Sequence, residues 1–199
     1  MMVFWQKRLA ILAVPKTGTT ALEKALGPEA DIVFRDPPGL KHMTLFRFNR
    51  FVAPLMEKGG CPRPETVAVV REPLDWLGSW WRYRQRPDAW ISTAGISFDE
   101  FVDAWCRSKR PDFADIGTQS AMLKGEGDKI GVDHIFRYDQ LGELHAFLEE
   151  RLERKIEVPP ANVSPQMPLE LRPGMVQRLK KKGAEEFALW ESLGGTPAI

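Results

Sequence analysis

An apolar run that breaks at proline and glycine is the feature that most constrains how this chain folds. Leu9 to Val14 is a short apolar stretch of the kind that forms a buried strand, and Pro15-Lys16-Thr17-Gly18-Thr19-Thr20 follows it directly. A strand that turns here into a helix directs backbone N–H groups, and the positive end of the helix, at one position. The lysine adds a mobile positive charge, and the glycine lets the backbone approach a ligand closely. The segment therefore predicts an anion-binding loop.

The order of residues separates this loop from the common nucleotide-binding loop. That loop reads G-x-x-x-x-G-K-[ST], with its lysine after the glycines. Here Lys16 precedes the only glycine of the loop, Gly18, and no glycine stands where the pattern requires its first one. We therefore predict a phosphate-type loop that differs from the version found in ATP-dependent kinases.

A second segment indicates which anion is bound. Val67 to Val70 has the pattern of another buried parallel strand, and Arg71-Glu72-Pro73 follows it. Asp75 to Arg86 then has the pattern of a helix, on which Ser79 lies about two turns after Arg71. An arginine at the carboxyl end of a strand and a serine on the next helix supply donors for a second phosphate. The structural alternatives are an ordinary ion pair for Arg71 and a packing role for Ser79.

Together the two segments resemble the sulfotransferases that use 3′-phosphoadenosine 5′-phosphosulfate. Pro15 to Thr20 resembles that family's 5′-phosphosulfate loop, and Val70-Arg71-Glu72-Pro73 with Ser79 resembles its 3′-phosphate motif. The similarity is closest to the compact bacterial and membrane-type branch. A weaker likeness continues through three later segments and so covers nearly the whole chain: Arg137-Tyr138-Asp139-Gln140-Leu141, Asn162-Val163-Ser164 and Glu186-Phe187-Ala188-Leu189-Trp190.

This resemblance implies a fold class and a reaction. The fold is α/β, a single-domain three-layer α/β/α structure over residues 1–199 with a central parallel sheet and the P-loop-like sulfotransferase fold. The reaction is in-line transfer of a sulfuryl group from 3′-phosphoadenosine 5′-phosphosulfate to a hydroxyl or amine. The acceptor is a small molecule, a glycan or a lipid headgroup. The nucleotide product is 3′-phosphoadenosine 5′-phosphate, and no metal is required.

The resemblance also assigns roles to residues of the two motifs. Lys16 is the candidate that stabilises the charge that develops on the leaving phosphate. The donor-binding residues form two groups, which hold the 5′-phosphosulfate and the 3′-phosphate respectively: Lys16, Thr17, Gly18, Thr19 and Thr20, and then Arg71 and Ser79.

His42 is the candidate base that removes the proton of the acceptor. It follows the turn Asp36-Pro37-Pro38-Gly39 and is expected to open the next helix, near the carboxyl ends of the strands. The ordinary pKa of histidine suits proton removal near neutral pH, and many relatives place a histidine after the second strand. Asp36 is the second choice. His134 at a strand start and His145 within a helix are expected to pack or to face solvent.

Tryptophans follow the second motif. Trp76, Trp80 and Tyr83 have the i, i+4, i+7 spacing of a helix face that packs into a core. Trp81 and Trp90 fall outside this stripe, and their rings are candidates for lining an acceptor pocket.

Apolar periodicity predicts the remaining elements of one domain. Four strands are expected, with helices between them: Arg8 to Val14, Asp31 to Phe34, Thr66 to Val70 and His134 to Tyr138. Lys41 to Lys58 carries six apolar residues at helical spacing and is expected to form one helix that ends at Gly59-Gly60. Further helices begin after the capping box at Ser97 and at Asp139, and two short ones close the chain at Met175 to Lys182 and Ala184 to Leu193, after a surface excursion over Val158 to Pro173.

Charge and composition exclude several classes of partner. Twenty-eight Lys and Arg residues against 27 Asp and Glu give a net charge of +1, so no global field attracts nucleic acid or a membrane surface. No stretch reaches the roughly 20 apolar residues of a transmembrane helix. Leu9 to Val14 is too short for a secretion signal. Two cysteines, Cys61 and Cys106, form neither a disulfide framework nor a metal motif, which favours a cytoplasmic location.

Two other functions compete with sulfuryl transfer. A P-loop ATP-dependent small-molecule kinase requires Mg²⁺ and a carboxylate at the end of a neighbouring strand, where this chain has Arg71. A non-catalytic nucleotide-binding module would keep the loop without the chemistry. The presence of Lys16 and His42 argues against that second alternative.

Overall fold

A five-stranded mixed sheet, with strand order β3-β1-β2-β4-β5, organises the first part of the chain. The computed structural model describes residues 1–158 and 167–199, which form two units. The first contains Met1–Val70 and residues 119–158; the second contains Arg71–Thr118 and residues 167–199. The strands are β1 (Met2–Phe4), β2 (Leu9–Ile11), β3 (Ile32–Val33), β4 (Glu65–Val70) and β5 (His134–Arg137).

Strand directions correct the expectation of a fully parallel sheet. β2 pairs in parallel with β4, and β4 pairs in parallel with β5. β1, which the sequence analysis missed, lies between β2 and β3 and is antiparallel to both. The four expected strands therefore run in one direction, with β1 inserted against them. The antiparallel direction of β1 has a local cause. The chain turns back after Phe4 through Arg8, whose φ of 47° is left-handed, and pairs β1 with β2 as a hairpin.

Both faces of the sheet are covered, so the strands β1, β2 and β4 carry buried residues on either face. On one face, alternate strand residues pack against two helices, α1 (Thr19–Leu26) and α8 (Leu141–Leu152), through Leu22, Leu26, Leu144 and Leu148. The strand residues that point the other way, among them Val3, Ala10, Ala68 and Val70, are fully buried as well. The α/β class with a central sheet is confirmed.

The single helix expected over Lys41 to Lys58 is wrong. The segment contains α2 (Pro38–Lys41), α3 (Leu45–Arg47), a wide π turn (Phe48–Val52) and α4 (Ala53–Lys58). Thr44 caps the start of α3, because its hydroxyl accepts a hydrogen bond from the Arg47 N–H. Pro54 lacks an N–H and its ring excludes a regular turn before it, so the Ala53 N–H donates to the Phe48 carbonyl, five residues back.

The π turn also changes which apolar residues are buried. Leu45, Phe48, Val52 and Met56 are buried as expected. Phe51 and Leu55, which the sequence pattern assigned to the same apolar face, are 57% and 61% exposed, so that part of the prediction is wrong.

The second unit has its own core, which is dominated by aromatic residues. Its helices are α5 (Pro73–Arg84), α6 (Phe98–Trp105), α9 (Pro173–Lys182) and α10 (Ala184–Ser192). The remaining helix, α7 (Gln119–Leu123), belongs to the first unit. Trp76, Trp105 and Phe101 are almost completely buried in this core. The expected capping box at Ser97 is confirmed, with reciprocal hydrogen bonds to Glu100.

The expected core stripe on α5 is confirmed only in part. Trp76 is buried and meets Trp80 edge to face, at 6.4 Å between ring centres, but Tyr83 is 39% exposed. Trp81 is buried against Phe98 and donates its indole N–H to the Ile96 carbonyl, so its ring belongs to the core. Trp90 is fully exposed.

Part of the expected surface excursion lies outside the described residues. This holds for the motif Asn162-Val163-Ser164 and for everything from 159 to 166. No helix within residues 1–158 and 167–199 is long and apolar enough to cross a membrane.

Candidate functional site

The loop between β2 and α1 has the backbone geometry of an anion-binding turn. Lys16 and Gly18 both adopt left-handed conformations, with φ values of 67° and 80°, so the chain turns sharply just before α1. Gly18 is the N-cap of α1, and its carbonyl accepts the first helical hydrogen bond from Ala21. No side chain of the described residues caps this helix end. The first N–H groups of a helix lack intrahelical acceptors, so this end of α1 suits an anion.

Thr17 stabilises the loop from within. Its side chain is completely buried, and its hydroxyl donates to the carbonyl of Val14 at 2.8 Å. This hydrogen bond ties the turn back to the residue before Pro15. The hydroxyl proton of Thr17 is thus used inside the protein, and the donor that Thr17 offers a ligand is its backbone N–H. Thr19 is buried as well, whereas Lys16 and Thr20 are half-buried.

Tyr138 lies beside this loop, and sequence reasoning gave it no role in the site. A Cβ atom placed on Gly18 would stand 3.5 Å from Cε2 of the Tyr138 ring. Tyr138 directly follows the last residue of β5, Arg137. Since the carboxyl ends of parallel strands share one edge of a sheet, the position of Tyr138 after a strand is the signal that identifies it.

His42 contacts the same loop through its backbone. Its Nδ1 atom lies 2.7 Å from the carbonyl oxygen of Ala13. A carbonyl only accepts hydrogen bonds, so Nδ1 carries the proton and the lone pair of the neutral ring is on Nε2. Burial lowers the pKa of His42, the hydrogen bond to Ala13 opposes this, and the charge of Lys41 lowers it further. The ring is therefore neutral at pH 7, with Nε2 able to accept a proton.

The position of His42 in its segment differs from the expectation. His42 does not open a helix; it is the C-cap of the four-residue helix α2. The expected helix start at Lys41 fails because the chain ends α2 there and restarts only after Thr44. The side chain nevertheless reaches the loop and hydrogen-bonds to Ala13, which lies 29 positions earlier in the sequence.

The other base candidates occupy different surroundings. Asp36 is exposed. His134 opens β5 and its Nε2 lies 2.7 Å from a carboxylate oxygen of Glu65, the first residue of β4. Both residues are at the amino ends of their strands, at the opposite sheet edge from the loop that follows β2. His134 is thus hydrogen-bonded to Glu65, and His145 lies half-buried within α8.

Arg71 and Ser79 belong to the second unit. Arg71 follows the last residue of β4, and its Nε donates to Asp75 at 2.6 Å; Arg82 approaches the other oxygen of the same carboxylate. The ion pair that is the structural alternative for Arg71 is therefore present. Ser79 is only 4% exposed, in the middle of α5.

The acidic residues near Arg71 have structural partners. Glu72 caps α5 by accepting from the Asp75 N–H at 2.7 Å, and burial raises the pKa of its carboxyl. Asp75 pairs with Arg71. In the part of the chain that the structure describes, no cluster of three or more His, Cys, Asp or Glu side chains is arranged to hold a metal ion.

Comparisons of the chain with protein-family models, with curated proteins and with solved structures found no match.

The geometry of His42 predicts a specific dependence of stability on pH. Because the folded pKa of His42 lies below its ordinary value of about 6.5, the unfolded chain binds more protons as the pH drops through that value. The free energy of unfolding should therefore fall below pH ~6.5, and His42→Gln should remove this component. Urea unfolding measures this component for both proteins between about pH 5 and pH 7.5. His145→Gln is the control.

A proton NMR titration gives an independent readout of the same group. The His42 ring should titrate below about 6.5 in the folded protein. A His42 midpoint at or above that value, or equal pH slopes for the wild type and His42→Gln, would contradict this environment.

Proposed function

We propose that this protein is a sulfotransferase that moves a sulfuryl group from 3′-phosphoadenosine 5′-phosphosulfate to a hydroxyl or amine, on a P-loop-like sulfotransferase fold. One observation carries the proposal: the left-handed turn at Lys16 and Gly18, which leads from a central parallel strand into the uncapped start of α1. Such a turn presents backbone N–H groups and a lysine to a doubly charged group. The phosphosulfate end of the donor is an anion of this kind.

The order of strands supports a second anion position. β4 is the parallel neighbour of β2, and Arg71 follows β4 as the loop follows β2. In an open α/β sheet, ligands bind beyond the carboxyl ends of such strands. In the proposal Arg71 holds the 3′-phosphate, and Ser79 contributes from α5. The phosphate competes with the Asp75 carboxylate for the Arg71 guanidinium. That phosphate distinguishes the donor from ADP and ATP.

His42 and Lys16 divide the proposed chemistry between them. Nε2 of His42 accepts the proton of the acceptor hydroxyl as its oxygen forms the new bond to sulfur. The bond between sulfur and the bridging oxygen of the donor breaks, and the electron pair stays on the 5′-phosphate. Lys16 stabilises the negative charge on that oxygen. The products are the sulfated acceptor, 3′-phosphoadenosine 5′-phosphate and a protonated His42.

The acceptor is proposed as a chemical class, and the transfer needs no metal. A small molecule, a glycan or a lipid headgroup is the acceptor, and the reaction takes place in the cytoplasm. A kinase is the weaker alternative, because Glu72 and Asp75, the carboxylates nearest the end of β4 in sequence, have structural partners.

Gly18 provides a test of the loop with a matched control. Gly18→Ala forces a side chain into a left-handed backbone, at a cost of about 1–2 kcal/mol, which the loop relieves by changing shape. We expect the Kd for 3′-phosphoadenosine 5′-phosphate to rise roughly tenfold or more. Gly60→Ala imposes the same strain at a φ of 86° with open space around it, and should lower stability without changing the Kd. Equal Kd values for both variants by calorimetry would contradict the loop assignment.

Arg71 provides a test of which nucleotide is bound. A charge-assisted hydrogen bond to phosphate contributes about 1.5–3 kcal/mol, so Arg71→Ala should weaken the binding of 3′-phosphoadenosine 5′-phosphate roughly tenfold to a hundredfold. Binding of ADP should be weak already and change little. Arg107→Ala is the control, since Arg107 also pairs with an aspartate four positions away. Tighter binding of ATP with Mg²⁺ than of the 3′-phosphorylated nucleotide would favour the kinase instead.

Lys16 separates catalysis from binding. Lys16→Ala should lower the single-turnover rate at saturating donor more than it weakens donor affinity, because the charge at the bridging oxygen develops only in the transition state. Release of 3′-phosphoadenosine 5′-phosphate, with water or a phenol as acceptor, is measured. Lys24→Ala removes an exposed charge from α1, the helix that follows the loop, and should leave the rate unchanged. A rate that is unchanged for Lys16→Ala once the donor saturates would give Lys16 a binding role only.

A further inference from the structure

The segment from α3 to α4 presents an exposed surface that combines apolar and basic side chains. Phe46, Phe51 and Leu55 are 51%, 57% and 61% exposed. Among the large hydrophobic residues that the structure describes, only Trp90 is more exposed. We call this surface the Phe51 face; its members are Phe46, Arg47, Arg50, Phe51, Leu55 and Lys58, all of them exposed.

The π turn explains why these apolar side chains collect on the outside. Leu45, Phe48, Val52 and Met56 are buried and hold the segment against the protein. Phe51 and Leu55 are one helical turn apart, at i and i+4. Phe46 lies in α3, directly before the wide turn over Phe48–Val52, and is exposed as well. Exposing three large apolar side chains on one segment works against stability in water, which favours a partner for this surface.

Positive charge accompanies the apolar side chains. Arg47, Arg50 and Lys58 stand on the face, with Glu57 as the one acidic residue from Leu45 to Lys58. The Arg50 guanidinium lies 5.5 Å from the centre of the Phe51 ring. Arg47 donates to the carbonyl of Gly39 at 3.0 Å. In the described part of the chain, none of the three cations forms an ion pair with a carboxylate.

We propose that the Phe51 face binds the surface of an anionic lipid bilayer. An interfacial helix inserts its apolar side chains to the level of the acyl boundary, while arginine and lysine reach the phosphates of the headgroups. The arrangement of Arg50 over Phe51 provides both interactions at one position. Leu45 to Lys58 spans about 20 Å, which suits a segment lying along the surface. This binding is independent of the donor site and goes beyond the proposed sulfuryl transfer.

Co-sedimentation with vesicles tests this proposal. We expect the wild-type protein, without nucleotide, to bind vesicles of phosphatidylserine and phosphatidylcholine, to bind pure phosphatidylcholine more weakly, and to dissociate as salt is raised. The triple variant Phe46→Ser/Phe51→Ser/Leu55→Ser should lower the partition coefficient at least about tenfold. Ile130→Ser is the control, since Ile130 is an exposed apolar residue of the same unit.

A charge variant tests the basic half of the face without changing apolar side chains. Each cation near an anionic surface contributes roughly a fivefold factor, so Arg50→Gln/Lys58→Gln should weaken binding about tenfold or more. Lys109→Gln/Lys180→Gln removes two exposed cations from the second unit and should leave binding unchanged. Circular dichroism and the urea midpoint show that each variant is folded.

Three outcomes would overturn the proposal. The first is a wild-type protein that does not sediment with anionic vesicles. The second is a triple variant or charge variant, shown to be folded, that binds as the wild type does. The third is a concentration-dependent dimer that the triple variant abolishes while vesicle binding stays unchanged, which would assign the face to a second copy of the chain.

Discussion

The parallel pairing of β2 with β4 is the constraint on which the candidate site depends. These strands are buried on both faces, and their apolar residues bind them into the middle of the sheet. A chain that leaves a buried strand has to turn without abandoning its backbone hydrogen bonds. Here the Leu12 N–H still donates to the Val67 carbonyl, and the Thr17 hydroxyl donates to the Val14 carbonyl. The left-handed residues Lys16 and Gly18 then complete the turn into α1. The left-handed turn in front of α1 is thus a consequence of how the sheet is packed.

One hydrogen bond links the candidate base to this loop. The Ala13 carbonyl is left over where β2 has ended and α1 has not begun, and His42 supplies its donor. The same bond orients the ring and selects the tautomer with its lone pair on Nε2. A structural requirement, the satisfaction of a backbone carbonyl, therefore also produces the protonation state that proton removal needs. Burial acts in the same direction by lowering the pKa of the ring.

The Phe51 face arises from a local conflict that the fold resolves at the surface. Pro54 would break a regular helix, and the π turn accommodates it without losing the buried contacts of Phe48 and Val52. The cost is a shift of register that turns Phe51 and Leu55 outward. In a segment with three cations, this shift creates a surface with both apolar and electrostatic affinity for a bilayer.

Some elements are predictable from the sequence because their signals are local. The strands β2, β4 and β5, the turn at Pro15 to Gly18 and the capping box at Ser97 follow from short-range periodicity and from backbone chemistry of proline, glycine and serine. The likeness to sulfotransferase motifs also rests on such contiguous residues, and the functional roles drawn from it remain predictions.

Other features depend on partners that are distant in sequence, and they become visible only in the folded chain. The tertiary structure inserted β1 between β2 and β3, paired Arg71 with Asp75, placed Tyr138 beside Gly18 and brought His42 to Ala13. Periodicity assigned Phe51 and Leu55 to the core because a regular helix was assumed. The physical reason is common to all of these cases: burial and hydrogen-bond satisfaction are set by the whole packed chain, and a local pattern does not contain the neighbours that compete for each residue.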